Sequence, residues 1–330
     1  MFAADSQRAL DLIRQADRVL IITHISPDGD AIGSLLAMGH LVRQLGRPHV
    51  TLALEDGVPE KFDFLPGSAD VLKATEGPFD LILIVDCSDD RRGGQVLHDN
   101  WRHGTPVINI DHHVTNTKFG TINLVRLDAA ATTQIIYWLT EAWELQVDQQ
   151  VAQYLLTGLV TDTLCFRAAN VTPKVMADAA ALMKAGADLS TITQQTVNRR
   201  SYDAIRYWGA MLDTVQLEDR VIWAVAPVSM RQHVGYRSNG DASLVTFLAT
   251  AWEADMAVTF AETDAGLVEI SLRAKPGFDV SAVALELGGG GHPAAGGATI
   301  NGPLPEAVRR VITQVKRARH DQFEQHEEDQ

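Results

Sequence analysis

His24, Asp28 and Asp30 fall within seven residues in the stretch THISPDGDAIGS, straight after the apolar run Val19-Leu20-Ile21-Ile22. Further along, Asp86 ends LILIVD, while Asp111, His112 and His113 end VINIDHH, and Asp162 sits in GLVTDT. A turn needs one Asp or one Gly, not two carboxylates and an imidazole. Brought together, these groups would repel one another and raise each other's pKa values. An unpaired carboxylate in the apolar helical stretch around Asp162 would also be costly. Divalent cations remove both problems. Carboxylates with imidazoles and no thiolates suit a hard-to-borderline ion: Mn2+ first, then Mg2+, with Co2+ or Zn2+ as further options. Four Asp and two His are too many for one ion with open positions. They suit two ions roughly 3.5–4 Å apart that share a carboxylate, an arrangement that activates water for phosphoester hydrolysis. Each stretch alone has an ordinary reading: PDGD as a turn, DHH as an accident, Asp162 as a capped or salt-bridged helix residue. Their conjunction at successive strand ends favours the metal reading.

The elements that must position these groups are legible around them. Val19–Thr23, His49–Leu54, Leu81–Val85 and Val107–Ile110 read as apolar strands separated by helical patterns. Strands apolar on both faces predict a parallel sheet covered by helices on both sides, with ligands at the strands' carboxyl ends. Helices are expected over Asp30–Leu45, Asp128–Leu145 and Asp148–Thr163, the last two opening on capping Asp residues. Thr172 as N-cap, Pro173 at the first position and Gly186 as stop frame another. Later strands at Arg220–Val228, Met256–Ala261 and Leu267–Ala274 alternate with helices near 241–252, 279–287 and 304–320. The fold expected is α/β: a parallel, doubly wound domain over 1–186, a connector over 187–205, and a smaller α/β domain with a mixed sheet over 206–320. Residues 321–330 read as a disordered acidic tail.

At 330 residues and 46% hydrophobic, the chain is long enough for two domains with sizeable cores. No apolar run reaches membrane-spanning length and the N-terminus lacks a signal-peptide core, so a cytoplasmic location without a membrane partner is expected. Cys87 and Cys165 have no metal-ligand spacing. A formal net charge of −14 disfavours a grip on long duplex nucleic acid. Small anions remain acceptable, because bound cations reverse the field in a cleft.

The segment GGGGHPAAGG, with glycines at 288–291 and His292, follows a helical stretch and precedes a strand. Glycines there let backbone N–H groups face an anion and let a ligand approach the main chain. A helix stop and a tight turn would need one or two glycines rather than six. Tyr202, Tyr207 and Trp208 could stack a base, but packing of a connector helix is the more economical role for them.

HISPDGDAIGS, VDCSD, IDHH and GLVTDT resemble motifs I to IV of the DHH phosphoesterase superfamily, and GGGGHPAAGG resembles the glycine-rich motif of its DHHA1 domain. In length and architecture the chain is most similar to the compact nano-RNase and pAp-phosphatase group. The resemblance implies that His24 and Asp28 bind one ion, Asp30 the other, and Asp86 both, with His112 and Asp162 completing the coordination of the second ion. It implies that His113 faces the scissile phosphate and that Asp111 orients a ligand imidazole. Gly289, Gly290, Gly291 and His292 would grip the distal nucleotide. Arg273, in SLRAK, would make a bidentate phosphate contact, with Lys275 a weaker candidate. Arg167 could meet phosphate from the catalytic side. One departure is Leu164, where family members often carry Gly.

The activity expected is Mn2+-dependent hydrolysis of short oligoribonucleotides and of 3′-phosphoadenosine 5′-phosphate. A linear or cyclic dinucleotide phosphodiesterase is the nearest rival, and a non-catalytic nucleotide sensor the alternative from another class. A manganese pyrophosphatase would lack GGGGH, and a RecJ-like exonuclease would be longer. A homodimer is left open.

Overall fold

The computed structural model describes residues 2–328 apart from 102, 103 and 239, with side chains up to 324. It divides into two compact units, Met1–Arg199 and Arg200–Gln330. The first opens with α1 (Phe2–Gln15) and is built on five strands: β1 (Arg18–Ile22), β2 (His49–Ala53), β3 (Leu81–Val85), β4 (Val107–Asp111) and β5 (Ile122–Val125). They lie in the order β2-β1-β3-β4-β5, all parallel. β3 and β4 are buried at every position, as their two-sided apolar composition requires. β5 is the strand the pattern did not announce. It is four residues long, contains Asn123 and only half-buries alternate positions at the sheet edge.

Around this sheet lie α2 (Gly29–Gln44), α3 (Gly94–Asn100), α4 (Thr132–Ala142), α5 (Gln149–Asp162), α6 (Pro173–Lys184) and α7 (Leu189–Thr196). Asp148 caps α5 through Val151 N at 2.8 Å, and Thr172 caps α6 through Val175 N at 3.3 Å. The helix expected from Asp128 instead starts at Thr132. Asp128 is paired with Arg126 Nε at 2.7 Å, and the first N–H groups of α4 are given to a distant carboxylate described below. Helices α2 and α5 cross at close quarters, since a Cβ on Gly33 would lie 2.5 Å from the Tyr154 carbonyl oxygen. The 187–205 stretch is not a bare connector: α7 inserts Ile192 into the first unit's core.

The second unit comprises α8 (Tyr202–Leu212), β6 (Gln216–Glu218), β7 (Val221–Ala226), α9 (Val228–Val234), α10 (Leu244–Leu248), β8 (Met256–Glu262) and β9 (Leu267–Ala274). It closes with α11 (Ser281–Glu286), β10 (Gly290–His292), β11 (Ala295–Asn301) and α12 (Leu304–Glu328). Its six strands run β10-β11-β9-β8-β7-β6, antiparallel except for the β7–β8 pair, so the sheet is mixed. One core gathers Val258, Phe260, Ile270 and Leu272 with Val311 and Val315 of α12. A second gathers Tyr207, Met211, Leu244 and Leu248. Tyr207 is fully buried and stacked on Tyr236, Trp208 is half-buried, and Tyr202 is exposed. Helix α12 continues to Glu328, past the expected stop near 320, with His320 and Glu324 paired one turn apart at 3.2 Å. Residues 321–328 are therefore helical rather than a disordered tail, and Asp329 and Gln330 lie outside the described residues. Among the described residues no helix is long and apolar enough to cross a membrane.

Candidate metal centre and phosphate-facing surface

The carboxyl ends of β1, β3 and β4 and the last turn of α5 converge, bringing together all six side chains expected as ligands. Three sets have ligand atoms within 4.8 Å of one another: His24, Asp28 and Asp86; Asp30, His112 and Asp162; Asp86, His112 and His113. Asp86 belongs to two of them. Its Oδ2 lies 3.5 Å from His24 Nε2, while its Oδ1 lies 3.7 Å from both His112 Nε2 and His113 Nδ1. This residue ends β3 at φ 56°, a left-handed turn that Asp tolerates better than most residues.

The remaining carboxylates are held by backbone donors. Asp28 is the N-cap of α2, with Oδ1 accepting from Asp30 N at 3.0 Å and Ala31 N at 3.1 Å. Asp30 is fully buried and answered by the N-terminus of α4. Thr132 N donates to its Oδ2 at 2.5 Å, and Thr133 N and Oγ1 donate to its Oδ1 at 2.9 and 2.7 Å. Thr132 Oγ1 donates to Asp86 Oδ1 at 2.9 Å, so one threonine ties two carboxylates of different sets. Neither threonine was singled out from the sequence; the TTQ that opens α4 is the local trace they leave.

Asp111 is not a member of any of these sets. Its Oδ1 takes His113 Nδ1 at 2.7 Å and its Oδ2 takes Asn116 Nδ2 at 2.6 Å. It orients His113, one of the imidazoles of these sets, and makes no hydrogen bond to His112. Among the described residues, His113 Nε2 makes no other hydrogen bond. Asp162 lies at the end of α5, with Oδ2 3.2 Å from His112 Nε2.

Without a cation this assembly is frustrated. Burial, then the charges of Asp86 and Asp162, holds the Asp30 carboxyl well above the carboxylate range. Burial would lower His112, but Asp162, Asp30 and Asp86 outweigh it and push the ring up to about 10. Its Nε2 is buried and, despite the nearby Asp162 oxygen, has no partner in hydrogen-bond geometry. An orphaned imidazole nitrogen among four carboxylates, with no thiolate, is the donor set a divalent oxygen- and nitrogen-seeking ion requires.

Burial also pushes the Asp162 carboxyl up to about 6; the charges of Asp28 and Asp86 add to this and the His112 contact opposes it. A folded-state value above the ordinary one means the fold holds this proton more tightly than the unfolded chain. The cost to stability is absent below the carboxylate range, grows as pH rises towards 6 and is complete above it. Metal-free Asp162→Asn should therefore exceed the wild type by about 1–3 kcal/mol at pH 8, with little difference at pH 4. Urea denaturation in chelator at both pH values measures this, and a pH-independent gain would contradict it.

The turn after Asp162 is unusual. Leu164, Cys165 and Phe166 all have φ between 50° and 61°, a conformation costing non-glycine residues on the order of 1 kcal/mol each. Thr163 Oγ1 accepts from Phe166 N and braces the turn. It leaves Leu164 52% exposed and Arg167 at the surface, with Arg167 Nε donating to the Leu164 carbonyl. A cleft of about 640 Å3 opens beside Ile25, the residue after His24, and is lined also by Glu55, Gln95 and Trp101.

In the second unit the glycine-rich segment is not a loop but a hairpin, β10 with β11. Gly289 and Gly291 are demanded by the hairpin itself, since a Cβ on either would lie 2.0 and 2.3 Å from the carbonyl oxygens of Gly297 and Ala295. Gly290 has open space instead. In the pairing register His292 lies opposite Ala295, and Ala295 opposite Arg273, so the two polar side chains share one face. Gly290 and Gly297 belong to that face too. Gly296, on the other face, packs on Ala284 of α11. Arg273 is half-buried and makes no ion pair among the described residues; its Nη1 donates only to the Leu272 carbonyl. Burial pulls its pKa down from the ordinary arginine value. Lys275 is tied to the Ala251 carbonyl at 2.6 Å, turned to the fold rather than to a ligand.

Two family models match the chain: the N-terminal domain of the DHH family over residues 18–159, and the DHHA1 domain over 224–319. A bifunctional oligoribonuclease and PAP phosphatase, NrnA, from Thermus thermophilus is 31% identical over 301 residues, 90% of this chain and 89% of that protein. The chain belongs to the DHH family. It is thus a hydrolase of phosphoester bonds, from a family whose enzymes use divalent metal ions. Among solved structures, an exopolyphosphatase-related protein from Bacteroides fragilis superposes with a TM-score of 0.87 at 23% identity, covering 95% of this chain and 96% of that one. RecJ from Thermus thermophilus in complex with Mn2+ shares the fold at a TM-score of 0.56 and 15% identity, covering 96% of this chain and 55% of that one.

Proposed function

We propose that this DHH protein is a two-metal phosphohydrolase that cleaves short oligoribonucleotides and 3′-phosphoadenosine 5′-phosphate, with Mn2+ as the preferred ion. The observation that carries the two-metal reading is Asp86, whose two oxygens face different imidazoles at 3.5 and 3.7 Å. His24, Asp28 and Asp86 would hold one ion, and Asp30, His112, Asp162 and the other oxygen of Asp86 the second. Bound there, the ions would lower the pKa of a water and neutralise charge on the phosphate.

The chain's own groups do the rest. Asp111, locked by Asn116, holds His113 by Nδ1 and presents Nε2 to a phosphoryl oxygen. The contacts of Asp86 and Asp111 outweigh the burial that would lower this ring, so its pKa is raised and it can keep a proton for that contact. Gly290, His292 and Arg273 form a surface suited to a phosphate of a short substrate. The substrate assignment is supported by the likeness to NrnA of Thermus thermophilus, a bifunctional oligoribonuclease and PAP phosphatase.

The test is a substrate panel with Mn2+ and with chelator: 3′-phosphoadenosine 5′-phosphate, RNAs of two to five nucleotides, cyclic di-AMP and pyrophosphate. The first two classes should be turned over and chelator should stop both. Turnover confined to cyclic dinucleotide or pyrophosphate, or undiminished by chelator, would overturn the reading.

A further inference from the structure

Arg92, on the turn between β3 and α3, reaches into the candidate metal centre. Its Nη2 lies 3.0 Å from Nδ1 of His24. The same Nδ1 lies 2.7 Å from the Ile25 carbonyl oxygen. A ring nitrogen either donates or accepts one hydrogen bond; guanidinium only donates and carbonyl only accepts. Nδ1 can therefore serve one of these neighbours at a time. The main chain of Arg92 is fixed on both sides, its N–H given to Asp89 Oδ1 at 3.1 Å and its carbonyl accepting from Ile25 N at 2.8 Å. Only the guanidinium has freedom. Half-buried beside the carboxylate cluster, it makes no ion pair among the described residues. Its neighbour Arg91 is different: the side chain is 88% exposed and lies 3.8 Å from Asp89.

We propose that Arg92 is a catalytic residue that contacts the phosphate being cleaved, set free for this when His24 turns Nε2 to a cation. The inference rests on the reading of His24 as a ligand. Ligation through Nε2 leaves the ring hydrogen on Nδ1, which then donates to the Ile25 carbonyl. Arg92 would face an N–H and lose its acceptor. The partner that suits a planar fork of donors beside a metal centre is a phosphoryl oxygen pair, whose charge grows as the water oxygen bonds to phosphorus and the ester oxygen departs. The sequence hides this residue because RR after a strand looks like surface charge, and the contact with His24 spans 68 positions.

The experiment compares Arg92→Gln and Arg92→Lys with Arg91→Gln in the full-length protein. Three quantities are read: Mn2+ affinity by electron paramagnetic resonance titration, inhibition by inorganic phosphate, and kcat and KM on bis-p-nitrophenyl phosphate. Arg92→Gln should lower kcat/KM on the order of 100-fold. It should weaken phosphate inhibition at least about tenfold while leaving Mn2+ affinity within about twofold. Arg92→Lys should recover part of the loss, because charge returns without the fork, and Arg91→Gln should match the wild type. Weakened Mn2+ affinity with unchanged phosphate inhibition would overturn the proposal, leaving Arg92 a clamp on His24. So would unchanged kinetics in both Arg92 variants. Neither result touches the two-metal reading, which stands or falls with Asp86.

Discussion

Asp86→Asn should reduce hydrolysis by on the order of 1,000-fold or more at saturating Mn2+, the largest effect expected of any single substitution in this chain. Burial alone would raise the Asp86 carboxyl, but His24, His112 and His113 pull it far below its usual range, so it is ionised throughout the working pH range. Both oxygens are in use, one towards each imidazole group. An amide keeps the shape and tolerates the positive φ of this position, where alanine would add backbone strain. It loses the charge and replaces one acceptor by a donor aimed at an imidazole. The Thr132 hydroxyl, which now donates to Oδ1, would meet an N–H if the amide were turned that way. Steady-state rates on 3′-phosphoadenosine 5′-phosphate, with a count of bound Mn2+, decide it. Full turnover with two ions still bound would remove the shared carboxylate from the mechanism.

Gly158→Ala should damage the fold and the centre together. A Cβ at this position would lie 2.5 Å from Asp30 Oδ1 and from both Cγ2 and Oγ1 of Thr133. None of these is the loose end of a long side chain. Asp30 is held by three hydrogen bonds from α4, and Thr133 is one of the donors. The methyl group must therefore push α5 off α4 or rotate Asp30 out of its cradle. The expected cost is about 2–4 kcal/mol of unfolding free energy, at the upper end for overpacking because the contact is to a carboxylate whose hydrogen bonds would be broken. Chemical denaturation in chelator measures that part. Mn2+ titration measures the displacement of Asp30, which should weaken binding at its ion by about 10–100-fold. An unchanged midpoint would mean that α4 and α5 separate freely at this crossing.

Much of this molecule is carried by short-range signals. Apolar runs announce β1, β3 and β4, and the parallel rule places His24, Asp86 and the Asp111–His113 group at one edge of the sheet. Asp148 and Thr172 cap helices as local chemistry requires, because a capping side chain acts within three residues of itself. The six carboxylate and imidazole groups were legible for the same reason: each lies at the end of a strand or at the start or end of a helix, in a recognisable stretch.

What the sequence could not decide is which donor meets which acceptor once those stretches are packed. Asp128 has the right type for a cap, yet the N–H groups of α4 go to Asp30, 102 residues away from Thr132, because burying Asp30 without donors would cost more than leaving Asp128 to Arg126. Asp111 chose His113 over His112, and Arg92 reached His24, through strand-end geometry that no spacing encodes. The glycine run likewise needed the register: only the pairing of β10 with β11 separates Gly289 and Gly291, which the backbone demands, from Gly290, which leaves a surface open. By itself the sequence determined the elements, their order and the kinds of atom at their ends. Tertiary structure alone decided the pairing of those atoms, because hydrogen bonds and charges act over a few ångströms of space, whatever their separation along the chain.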